Sequence, residues 1–158
     1  MFFKLASTTS ALLVALAALS RAAPSASNAV QPKAKGVAVN FPVRTLDVSA
    51  ARAPSTSLTN AKASRAVKRQ EFPADLLVCA ESNCGLCEEF SLSGLAEDEC
   101  FFVDFSGISV AISQPSGQGL PFAVEIGEAG CPSLTQVPTV NECFNLNGFS
   151  FDSFALFP

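Results

Sequence analysis

All six cysteines of this 158-residue chain lie between Cys79 and Cys143, and no Lys, Arg or His follows Arg69. Whatever the second half folds into is therefore small, acidic and rich in thiols. From Gln70 to Pro158 there are thirteen Asp and Glu, so the formal net charge of −4 averages a basic leader with a segment of about −13. The last two cations are the pair Lys68-Arg69, at the break itself.

The leader is read in two parts. Residues 1–22 carry a Lys4 start, the apolar run Ala11-Leu12-Leu13-Val14-Ala15-Leu16-Ala17-Ala18-Leu19 and a small residue at Ala22, with Ala23 next, the order of a secretory signal peptide. The run is far shorter than the about 20 residues a membrane span needs. Residues 23–69 are rich in Ala, Ser, Pro and Thr without a sustained apolar period, and are expected to be a disordered pro-segment. One apolar patch, Gly36 to Val43, is expected to pair transiently with the downstream domain. Lys68-Arg69 suits a dibasic-specific convertase, which would leave Gln70 as a new N-terminus able to cyclise to pyroglutamate. The expected product is residues 70–158, secreted and extracellular.

Six cysteines in a small secreted product read as three disulfides, because such a domain has little core of its own. Cys84-Gly85-Leu86-Cys87 is a C-x-x-C, but with no second such pair and no His it is a poor zinc or redox motif. The spacing also repeats. Cys87 leads to Glu99-Cys100-Phe101 and Cys131 to Glu142-Cys143-Phe144, with Asp104 and Asn147 four residues beyond each second cysteine. Two units, about 76–113 and 121–157, flank a turn-forming linker, Gln114 to Gly119. If equivalent cysteines pair alike, the bridges are Cys87–Cys100 and Cys131–Cys143, leaving Cys79–Cys84. Pairing of Cys79 or Cys84 with a repeat cysteine is the alternative.

Apolar stretches in each unit are short and often alternating, as at Val103, Phe105, Val110 and Ile112 and at Phe149, Phe151 and Phe157. They predict an all-β domain, two similar four-strand units packed as a disulfide-braced sandwich with Phe between the sheets. Residues 92–99 are the one place where a helical turn is expected.

Two hairpin-containing units with closing strands such as Gly107-Ile108-Ser109-Val110-Ala111-Ile112 resemble the βγ-crystallin superfamily of paired Greek-key motifs. That resemblance implies a structural or calcium-binding module, with Asp104, followed by Phe105 and Ser109, as a weak calcium candidate. A signal, a Lys-Arg-terminated pro-segment and a six-cysteine product also resemble the small secreted cysteine-rich proteins of fungi. That second resemblance implies an effector-like or signal-like role.

Catalysis has little to work with. A product lacking His, Lys, Arg and Tyr cannot build the usual nucleophile–base pairs, Schiff bases or phosphate clamps. Glu88-Glu89 and Glu97-Asp98-Glu99 are runs of two and three carboxylates, but neighbours on a strand point to opposite faces. No enzyme, catalytic residue or cofactor is expected. Nucleic acid and anionic membranes are repelled, and no membrane insertion is expected. The expected partner is an unidentified protein or a polycation. A secreted-hydrolase inhibitor presenting the Gln114–Pro121 loop is a further alternative.

Overall fold

Turn-forming Gly, Asn, Ser and Pro cut the apolar stretches into short pleated segments. The computed structural model describes residues 29–50 and 73–158. Ten strands run in chain order: β1 (Ala34–Val37), β2 (Val43–Leu46), β3 (Asp75–Cys79), β4 (Cys87–Ser91), β5 (Cys100–Gly107), β6 (Ser109–Ser113), β7 (Ala123–Gly127), β8 (Leu134–Gln136), β9 (Cys143–Leu146) and β10 (Phe151–Phe157). They form a six-stranded sheet, β1-β4-β3-β6-β9-β2, and a four-stranded sheet, β5-β10-β7-β8. Residues 92–99 make turns rather than a helical turn.

The two sequence units are visible in the strand order. Each keeps its second, first and fourth strands together, as β4-β3-β6 and β8-β7-β10. Each sends its third strand to the other sheet, where β5 pairs with β10 and β9 with β6. The registers match as well. Ser109 stands between Cys79 and Asn145, while Ser153 stands between Gly127 and Phe102. Each unit therefore completes the other's sheet.

Between the sheets lies the core, where Leu76, Val78, Phe90, Val110 and Ile112 meet Phe101, Val124, Ile126, Phe151 and Phe154. Phe90, Phe151 and Phe154 are fully buried, and the Phe101 and Phe154 ring centroids are 5.3 Å apart. Burying one such ring contributes on the order of 2–3 kcal/mol. Gly107 is the corner where the chain leaves one sheet for the other. A Cβ there would sit 2.6 Å from Val78 Cγ1 and 2.7 Å from the Phe151 ring.

The bridges are Cys79–Cys87, Cys84–Cys143 and Cys100–Cys131, so none of the three expected pairs forms. Crossing of the third strands is the reason. It puts Cys100 in the sheet opposite Cys87, and Cys143 in the sheet opposite β7 and β8, which flank Cys131. The twofold still governs two bridges, each joining the loop after a unit's first strand to the start of the other unit's third strand. Both span 6.1 Å between Cα atoms, and Cys84 and Cys131 share a left-handed φ, 53° and 55°. Cys79–Cys87 is a cross-strand bridge without a counterpart; Gly127 and Leu134 face each other at the matching place.

The leader also departs from expectation. Residues 29–50 are not a disordered tail, since β1 and β2 are the two edge strands of the six-stranded sheet. The signal segment 1–22 and the pair Lys68-Arg69 lie outside the described residues.

Candidate interaction surface

Strand alternation sends Leu77, Cys79, Cys87, Ala111 and Cys143 away from the core, to the outer face of the six-stranded sheet. An acidic sandwich would ordinarily wet that face, yet all five residues are buried. Two segments cover them.

The first is the loop after β3, folded back over its own sheet. Asn83 and Cys84 take left-handed φ, and Cys84 is tied to Cys143 on β9. The buried Ser109 hydroxyl donates to Glu81 O at 2.6 Å and accepts from Cys84 N at 3.2 Å. Asn145 accepts from Asn83 N at 2.7 Å and donates to Asn83 Oδ1 at 2.8 Å. These four hydrogen bonds tie the loop to β6 and β9, so it is part of the sheet's outer layer.

The second is the leader, which acts as a strap. β1 runs antiparallel to β4, with Lys35 opposite Glu88 and Val37 opposite Cys87. The extra residue between these pairs is Gly36, whose φ of +71° suits glycine. This bulge turns the strand over, so Lys35 stays at the rim while Val37 faces the outer apolar cluster. Val37, Val39 and Phe41 pack on that cluster, and Pro42 O accepts from Cys143 N at 2.9 Å. β2 then runs parallel to β9, and Leu46, 7% exposed, enters the main core. At its other end the strap touches the four-stranded sheet, where Val30 N donates to Phe102 O at 3.1 Å.

Charge follows the same path. Lys33 Nζ lies 3.1 Å from Asp75 Oδ2 and 2.9 Å from Glu89 Oε1. Lys35 Nζ lies 2.9 Å from Glu88 Oε1 and 3.9 Å from Asp104 Oδ2. Arg44 reaches both oxygens of Glu142, Nε at 3.2 Å. Donating hydrogen bonds to Glu89 and Asp75 raises the Lys33 pKa, and donating one to Glu88 raises that of Lys35. The Lys33 hydrogen bond lowers the Glu89 carboxyl. Asp75 is raised, burial outweighing its Lys33 contact. The strap cations are more than half exposed, so solvent screens these pairs and each adds little to stability.

Glu88 and Glu89 do point apart, and each is held by a strap lysine. Asp104, the calcium candidate, is 71% exposed at the side chain and faces Lys35. Cys79, Cys84 and Cys87 bring their sulfurs within 4.8 Å of one another, but all three are in disulfides and offer no thiolate to a metal. Lys68, Arg69 and Gln70 lie outside the described residues. The strap was signalled only by alternation through Val37, Val39 and Phe41 between flanking cations. Among the described residues no helix is long and apolar enough to cross a membrane. Comparison of the chain with protein-family models, curated proteins and solved structures gave no match.

Proposed function

We propose that the chain is the precursor of a secreted, proteolytically matured, non-enzymatic interaction protein, effector-like or signal-like in role. The supporting observation is where the leader sits. Its cations and apolar residues cover an acidic-rimmed, apolar outer face that belongs wholly to the segment beyond Lys68-Arg69. Three disulfides fit an oxidising compartment, as secretion requires. Release at Lys68-Arg69 would free that face. Intact-mass and non-reducing peptide analysis of protein recovered from culture fluid tests the reading. The expected species begins at Gln70 or its pyroglutamate and carries three bridges. Recovery of only an uncut chain from the fluid would overturn it.

A crystallin-like module is the second reading, supported by the strand order. In each unit the fourth strand lies beside the first, as in a Greek key, with the third strand moved to the partner sheet. Such a module would be structural, or would bind calcium through carboxylates such as Asp104. Calorimetry separates the two roles, since a calcium-binding module would give heat and a raised melting temperature with millimolar Ca²⁺.

A further inference from the structure

We propose that the strap is a place-holder in cis for an extended, lysine- or arginine-flanked apolar segment of a partner protein, which adds to the same edges and outer face once Lys68-Arg69 is cut. This inference rests on the processing reading above and names the partner chemistry of that site.

Three features of the covered surface select such a segment. Its backbone demands a strand: β4 and β9 are the sheet edges that remain without β1 and β2, and unpaired edges accept further strands. Its centre demands apolar side chains at alternate positions, which Val37, Val39 and Phe41 now provide over Leu77 and Ala111. Its rim demands cations. Asp75, Glu88, Glu89 and Glu142 face Lys33, Lys35 and Arg44, and residues 70–158 contain no Lys, Arg or His to replace them. A second copy of the product brings the wrong charge. The compensating cations must come from another molecule.

The strap is also built to be exchanged. Its two edge strands are only four residues each, and Leu46 is their one buried side chain. In the uncut chain it re-docks at the high effective concentration of a tethered segment, and cutting removes that advantage. A competitor of similar chemistry then meets it on equal terms.

The test uses the full chain, folded with its bridges and cut in vitro by a dibasic-specific protease. The probe is a dye-labelled peptide of residues 29–50, followed by fluorescence anisotropy. Uptake is expected with the cut protein and roughly tenfold less with the uncut one. A K33E/K35E/R44E peptide is expected to bind at least about tenfold more weakly. A third peptide that keeps only the apolar and basic positions is expected to bind within about threefold of the first. No uptake, equal uptake of the charge-reversed peptide, or failure of the third peptide would each overturn the proposal. If the protease leaves Lys68-Arg69 intact, the processing reading fails. A foreign cleavage site placed there then tests the surface separately.

Discussion

Lys35 Nζ lies 2.9 Å from Oε1 of Glu88, a contact between one residue on each side of the charge break at Lys68-Arg69. The lysine is at the rim because Gly36 turns the strand over immediately after it. Glu88 Oε2 is buried with no hydrogen-bond partner, so the Lys35 contact is what compensates this carboxylate. The basic leader and the acidic domain are two halves of one charge pattern.

Reversing the strap cations should loosen the strap without unfolding the sandwich. K33E, K35E and R44E together replace attraction by repulsion at exposed, solvent-screened pairs that add little to the stability of the sandwich. Amide exchange over residues 34–46 is expected to quicken, and added salt, which loosens the wild-type strap, should instead slow it by screening the new repulsion. Amides of β3 and β6 should keep their protection. Equal loss in both regions would mean that the strap is integral to the fold.

The strap should hold best between the carboxylate and lysine ranges. Glu89 is lowered below its usual 4.5, so its contribution is complete above that value and lost as pH falls through the lowered one. Lys33 and Lys35 are raised above 10.5, so theirs is complete below that value and lost as pH rises through the raised ones. Asp75 has the opposite sign. Its raised carboxyl disfavours the folded state when ionised, and falling pH relieves that cost. Protection of β1 amides is therefore expected to peak at intermediate pH and decline at both ends. The cut product freed of its strap, a bare polyanion, should melt higher near about pH 5 than near about pH 8.

Removing bridges should rank by the chain they close. Separations of 59, 31 and 8 residues belong to Cys84–Cys143, Cys100–Cys131 and Cys79–Cys87. Chain entropy assigns them about 4, about 3.5 and about 2.5 kcal/mol. Denaturant melts of the three paired Cys→Ala variants read the order directly, and it should be the order of those separations.

Two glycines should respond differently to substitution. Gly107→Val drives a side chain into Val78 and the Phe151 ring, and is expected to cost about 1–3 kcal/mol in a thermal or denaturant melt. Gly36→Ala meets nothing within 4 Å, so its cost is the φ of +71° alone, about 1–2 kcal/mol. That cost falls on the strap. Exchange over 34–37 should quicken while the melting temperature of the sandwich stays unchanged.

Strand content and the two four-strand units were legible because alternation and turn residues act locally. Cysteine pairing was not. Its premise, that equivalent cysteines pair alike, holds in the structure for Cys84–Cys143 and Cys100–Cys131, but between units rather than within them. The equivalent of Cys131 is Cys84, which shares its left-handed backbone, and not Cys87, which the similar spacing to Glu99-Cys100-Phe101 and Glu142-Cys143-Phe144 favoured. Which sheet receives a third strand is decided by the packing of whole units, and no residue near Cys100 or Cys143 announces it. The strap was hidden for a related reason. Residues 34–37 and 43–46 are too short and too exposed to read as strands by themselves, and only edges built from distant sequence make them so.

The two symmetric bridges also fix how the molecule can come apart. Each runs from one unit to the other, and the only other covalent connection between the units is the linker Gln114 to Gly119. A protease that nicks the exposed stretch Pro115 to Gln118 of this linker leaves one covalent body, still closed by sulfur on both sheets. Exchange of a unit between two copies is barred in the same way, since it requires reduction of both bonds first. The oxidised domain thus survives a cut through its middle as one disulfide-linked body.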